Sequence, residues 1–236
     1  MNREITDLTT LHHANNDVAE ARVELFEHAK SYKVFDHLKH IERSHQLRNV
    51  CGSTWYYFSK KVPLLLLAIA SQSGNRSFQE NIEHVANDEL GFGKPEQNHA
   101  RLFKNSLEKC GLKFSKLSEI NEYIVNKEID KLIENVKTDD HEYFFYGIVL
   151  GLEIVAYENI YTLLDLISLE QREEIIKTPY FSTHLIAEDE HINLNILNYL
   201  EASKENEKCS QYMDGFTAGL QFWQKFWLDV SQGVAQ

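Results

Sequence analysis

From Asp17 almost to the C-terminus, apolar residues recur at intervals of three and four. Nowhere do they alternate strictly for long enough to make a strand. That spacing commits the chain to helices. Val18, Ala21, Leu25 and Ala29 set it in the first one. Breakers are scarce: 10 Gly and 3 Pro in 236 residues, so helices are long and turns few. The pattern predicts a second helix over 34–41. A long apolar helix follows from Cys51, kinked at Pro63 and closed by Ser73-Gly74-Asn75. The next runs over 78–90 and stops at Gly91-Phe92-Gly93-Lys94-Pro95, where another begins with Pro95 in its first turn. Further helices are expected near 116–136, 139–167, 169–177, 180–203 and 205–231. No repeat, low-complexity linker or domain boundary interrupts them. The expected fold is all-α: a single-domain helical bundle over 17–236, with eight to ten helices and a flexible polar segment, 1–16, ahead of it.

Charge and cysteine usage remove several classes of function. A formal net charge of −12 argues against nucleic acid or an anionic membrane surface as partner. Cys51, Cys110 and Cys209 are scattered, with no CxxC spacing. They make neither a zinc site nor a disulfide framework, and free thiols suit a reducing compartment. The first residues contain no apolar signal-peptide core, and the longest apolar run, 62–70, is less than half a membrane span. A soluble, cytoplasmic protein is the expectation.

The chemistry lies where ionisable residues interrupt apolar stripes, because burying them unpaired is costly. His184, Glu188 and His191 stand at i, i+4 and i+7, within roughly 60° of one another on one helical face. In FQENIEHVANDEL, Glu89 shares the face of Phe78, Ile82 and Val85, while His84 and Asp88 point away. In PEQNHARLFKNSLEKC, His99 lies amid Leu102, Phe103 and Leu107. In FFYGIVLGLEIVAYENIYTLL, Glu153 sits roughly 20° beyond the apolar arc, and Glu158 lies opposite, in solvent. Glu89, His99, Glu153, His184, Glu188 and His191 thus offer three carboxylates and three imidazoles from four helices. Any one of them alone reads as a satisfied core polar group. All six together, with few cationic side chains nearby, read as a site for divalent metal, because buried carboxylates need positive partners. Mixed nitrogen and oxygen donors suit two first-row ions, iron or manganese, better than a closed structural zinc site.

These residues resemble the haem-oxygenase-like diiron oxidases and oxygenases, related in fold to pyrroloquinoline-quinone synthase and thiaminase-type proteins. The resemblance rests on Glu89 and His99 in NDELGFGKPEQNHARLF, Glu153 in GLEIVAYE, and the triplet in HLIAEDEH. YYFSKKVPLLLLAIA looks like the aromatic helix ahead of the first ligand, and the likeness covers roughly residues 35–200. It implies a haem-oxygenase-like bundle and two Fe(II) ions, with Mn as the alternative. O₂ would be the co-substrate. It also implies oxidation of a small amino-acid-derived or fatty-acid substrate, a homodimeric state, and no catalytic side chains beyond the ligands. By the same resemblance Glu89, His99 and His191 would hold one iron, His184 and Glu188 the other, and Glu153 would bridge them. Glu188 stands where the family commonly has Asp.

Four rivals remain. A haem oxygenase would need an early axial histidine, for which His28 or His37 could serve, and a basic rim that the acidic balance does not support. A ferritin-like site would use the Glu-x-x-His pairs Glu96–His99 and Glu188–His191, but the break after Glu89 leaves no room for its first helix. A thiaminase-like hydrolase needs an activated thiol, and no acid–base partner is legible near any cysteine. A non-catalytic binding protein of the same fold would have no need of the six donors.

Overall fold

The computed structural model describes residues 3–109, 111, 119–138, 141–168 and 171–232. Cys110 and the segment 112–118 lie outside the described residues. Ten α-helices and two 3-10 turns carry the described chain: α1 Arg3–Ser31, α2 His45–Gln72, α3 Arg76–Glu89, α4 His99–Lys109, α5 Glu119–Thr138, α6 Glu142–Glu153, α7 Ala156–Ser168, α8 Arg172–Ile175, α9 Pro179–Ala202 and α10 Asn206–Gln232. The described chain is an all-α bundle, as its periodicity predicts.

Local chemistry sets the boundaries. The Ser44 side chain accepts from Leu47 N and starts α2; Asn75 accepts from Ser77 N and Phe78 N and starts α3. Pro63 stands inside α2, which continues past it to Gln72. Three expectations change. The backbone is already helical from Arg3, and that polar stretch contains no Gly or Pro to stop it. The helix expected over 34–41 is only a 3-10 turn, Asp36–Leu38, with no buried residue to reward a longer one. The helix expected over 139–167 is two, α6 and α7, bent by 44°. The bend falls at the β-branched pair Ile154 and Val155, directly after Glu153.

Helix α2 is the spine, packed by α3, α5 and α7, while α6 lies along α10. That second contact is closed by glycines four apart on both helices: Gly147 and Gly151 on α6, Gly215 and Gly219 on α10. A Cβ on Gly219 would stand 2.7 Å from Ile148 O; on Gly215 it would run into Phe144 O. Only hydrogen atoms fit there, so the backbones nearly touch.

Beside this crossing the chain's three tryptophans stack: Trp55 is 5.5 Å from Trp223 and 5.9 Å from Trp227 between ring centroids. Trp223 Nε1 donates to Leu152 O at 2.9 Å, tying α10 to the end of α6 where Glu153 lies. No single helix among the described residues is long and apolar enough to cross a membrane; only the bent pair α6 and α7 reaches that composition, jointly. Their apolar side chains are largely core residues.

Glu158 departs from the expectation that it is solvated. It is half-buried, and its Oε2 is shielded without a hydrogen-bond partner. Burial pushes its carboxyl above the ordinary value. A group whose folded pKa is raised adds stability below its unfolded pKa and loses it as pH rises through the folded one. Glu158→Gln is therefore expected to raise the melting temperature at pH 8 and to raise it less at pH 4. A thermal melt at both pH values checks this, and an equal change at both would contradict it.

Candidate metal centre

The loop after α3 does the first positioning. Gly91 has φ +74°, and a Cβ there would stand 2.5 Å from Gln97 C and 2.6 Å from Asn98 N. Glycine alone permits that left-handed turn and that approach. The chain passes through the 3-10 turn Pro95–Gln97, and Asn98 Oδ1 accepts from Arg101 N at 3.1 Å, capping α4. Pro95 therefore opens this short turn, and α4 itself begins at His99. The return brings His99 Nδ1 to 3.1 Å from Glu89 Oε2, although nine positions and a helix break separate them. Glu96 stays exposed and joins nothing.

Helix α9 supplies the other side. It packs on α3, α4, α6 and α7. Its first half carries His184 to α4, with His99 and His184 ring centroids 4.5 Å apart, and His184 Nε2 is 3.8 Å from Glu89 Oε1. Its next two turns carry Glu188 and His191 to the end of α6, where His191 Nδ1 is 3.7 Å from Glu153 Oε2. The six residues fall into two groups: Glu89, His99 and His184; and Glu153, Glu188 and His191. Within each, one donor atom per residue lies within 4.8 Å of the others. Compared with the assignment the resemblance implied, the two α9 histidines exchange places. His184 lies seven residues before His191, about 10 Å along the axis, so the two reach different neighbours.

Asp88 is the residue that the apolar stripe placed wrongly. It does not point away: Asp88 Oδ2 is 3.2 Å from His191 Nε2 and 3.8 Å from His99 Nε2. Each of these histidines thus turns one ring nitrogen to Asp88 and the other, Nδ1, toward a glutamate of its own group. A carboxylate behind a metal-ligand histidine fixes its tautomer and orientation. A backbone carbonyl does the same for His184, whose Nδ1 is 2.9 Å from Tyr180 O, leaving Nε2 as the lone-pair donor. The stripe misled because the end of α3 contacts both α4 and α9. The sequence signal was the acidic pair Asp88-Glu89 directly before a glycine break.

If these residues hold metal, Asp88→Asn is expected to weaken divalent-metal binding by roughly 10- to 100-fold without abolishing it. An Fe(II) titration checks this; unchanged affinity would mean that Asp88 orients nothing.

The electrostatics of these residues follow from their burial and from one another. Burial raises the Glu89 carboxyl, but His99, His184 and His191 outweigh it and hold the group at about 2. Burial, then Glu153, pushes Glu188 well above the carboxylate range. Burial pulls His191 down, yet the Asp88 and Glu153 carboxylates facing its two ring nitrogens raise it to about 11. Burial and His99 lower His184 to about 4, so it is neutral at pH 7. Among the described residues, histidines alone face these carboxylates as ion-pair partners. His99 Nδ1, Asp88 Oδ2 and Glu188 Oε2 are buried without a hydrogen-bond partner. Orphaned donor atoms, three carboxylates without a fixed cation and a nitrogen–oxygen donor set are what two first-row divalent ions would satisfy. The residues therefore fit such ions.

Glu89, Glu153, His184 and Glu188 share one cavity of about 40 Å³. Trp55, Phe58, Val62, Leu152, Ile160 and Trp223 form most of its apolar wall, with Ser59, Asn159 and Tyr180 as its uncharged polar members. Trp55 thus lines the site, whereas its neighbours Tyr56 and Tyr57 pack against the core as half-buried rings. Cys51 is fully buried, its thiol pushed far up by burial, and it lines no part of this cavity. Among the described residues no cysteine lines this cavity.

Comparison with known proteins places the fold and the family. The model of a family described as iron-containing redox enzymes matches residues 52–224. Two crystal structures of a CADD-like protein of unknown function from Nostoc punctiforme PCC 73102 have the same fold. One superposes with TM-score 0.70 at 14% identity, covering 94% of this chain and 98% of that one. The other gives TM-score 0.67 at 13% identity, covering 95% and 96%. No curated protein sequence matches the chain.

Proposed function

This chain belongs to the iron-containing redox enzymes of haem-oxygenase-like fold, and we propose on that premise that it is a non-haem diiron oxidase or oxygenase acting on a small organic molecule. The observation that carries the reading is the pair of three-donor groups, largely buried, four of whose six residues line one cavity. Glu89, His99 and His184 would hold one Fe(II), and Glu153, Glu188 and His191 the other. When bound, such ions would supply two of the electrons that reduce O₂, the others coming from the substrate or an external reductant. Iron is preferred over manganese because of the family; the donors suit both.

The protein's own share of the work is positioning and exclusion. Asp88 and the Tyr180 carbonyl aim the three imidazoles. To accept a cation, His191 and Glu188 must shed protons, so metal uptake releases acid. The indole and phenyl walls keep bulk water from the reacting atoms. A cavity of about 40 Å³ holds two or three water-sized groups. The rival non-catalytic reading leaves the orphaned donors unexplained.

The test is O₂ consumption by Fe(II)-loaded protein. Wild type should consume O₂, and His184→Ala should do so at least roughly tenfold more slowly. Equal rates in the two, or no uptake by iron-loaded wild type, would contradict the proposal.

A further inference from the structure

Asn159, in α7, has no part in the metal groups, yet it lines the same cavity with 0% of its surface exposed. Its amide is locked from behind. Trp227 Nε1 donates to Asn159 Oδ1 at 2.7 Å. An indole N–H can only donate, so the amide must turn its oxygen to Trp227 and its Nδ2 the other way. Trp227 is itself fully buried and held in the indole stack. Asn159 Nδ2 is buried and has no hydrogen-bond partner within the protein. A buried donor left unmade is costly, and in a rigid wall it marks a place where a ligand atom completes the bond.

The neighbouring polar atoms cannot play that part. Trp55 Nε1 is spent on Tyr180 Oη at 2.6 Å, and Trp223 Nε1 on Leu152 O at 2.9 Å. The Ser59 hydroxyl is engaged with Tyr180. Among the described residues no Lys or Arg lines the cavity, while Glu89, Glu153 and Glu188 do. A carboxylate beside Asn159 would find one neutral amide donor and, among the described wall residues, no fixed side-chain cation.

We propose that Asn159 Nδ2 is the substrate-orienting donor of this site, and that it binds a neutral oxygen acceptor, a carbonyl, amide or hydroxyl oxygen, on a compact and otherwise apolar substrate. This rests on the reading of the cavity as the reaction site. Held by that one bond, with its body against Trp55 and Trp223, the substrate presents a fixed carbon to the metal-facing side. Asn159 acts by positioning and takes part in no bond-making step.

The test uses small probes on the full chain, metal-free and again with Zn(II) as a diamagnetic stand-in. Acetone carries the acceptor; isobutene has the same shape without it; acetate is the charged counterpart. The Asn159 side-chain NH₂ resonance, identified by its loss in Asn159→Leu, should shift with acetone and stay in place with isobutene and acetate. Asn159→Leu should weaken acetone binding roughly tenfold and leave isobutene binding unchanged or tighter. An unshifted Asn159 resonance in wild type under acetone, or acetone affinity unaltered in Asn159→Leu, would overturn the proposal. An equal shift with acetate would overturn the neutral class. Because wild type is read directly, a variant that fails to fold does not blunt the test. Iron stoichiometry, measured separately, separates this failure from failure of the diiron reading: two irons bound with no acetone response sinks only Asn159.

Discussion

Gly215→Ala is expected to lower the melting temperature by roughly 10 °C, corresponding to about 4 kcal/mol in a chain of this size. The added methyl would occupy the space of Phe144 O and press on Phe144 Cα. Those are backbone atoms, so no rotamer change relieves the clash; α10 must move off α6. Gly147 faces Tyr212 O in the same way, so moving one glycine pair does not free the other. The shift would also disturb the site, because Trp223 of α10 bonds Leu152 O one residue before Glu153. Gly74→Ala is the matched control. There a Cβ meets only the end of the Glu142 side chain, at 3.3 Å, and little change is expected. Thermal melts of both variants check this. A Gly215→Ala protein as stable as wild type would mean that the crossing is looser than its backbone spacing requires.

His191→Ala is expected to remove one of two iron equivalents and leave the helical content intact. His191 is the lone nitrogen donor of its group; without it Glu153 and Glu188 remain as two carboxylates. The affinity loss there should exceed the roughly 100-fold typical of losing a supporting contact. The other group keeps Glu89, His99 and His184 and should still bind. Helicity should hold because alanine is the better helix former. Circular dichroism and iron analysis on one preparation test both halves. Two irons bound as tightly as in wild type would remove His191 from the site.

The contrast between these two variants shows what was legible in the chain. The six donors stand out because each breaks an apolar stripe with a residue that is costly to bury, a property of single helices that survives in sequence. How the donors divide is different. Whether His191 joins Glu89 or Glu153 depends on how α9 crosses α3 and α6, and crossing geometry leaves no trace in one helix's periodicity. Asp88 escaped for the same reason: the end of α3 touches two helices, so a residue off its apolar face can still face protein. Glu153 looked marginal because the ideal helix was carried through Ile154 and Val155; the real one ends at Glu153 and bends. The four packing glycines were readable as two pairs spaced by four, but their function appears only when both helices are seen together. Glu158 shows the limit from the other side, because a face predicted to meet solvent is half covered by neighbours distant in sequence.

The central claim is that two buried groups hold two irons, and the most direct measurement is an anaerobic Fe(II) titration followed by Mössbauer spectroscopy. The account predicts two irons per chain at saturation in two distinguishable environments, one set by a carboxylate and two imidazoles and the other by two carboxylates and one imidazole. A single iron at saturation, or no binding at all, would contradict it.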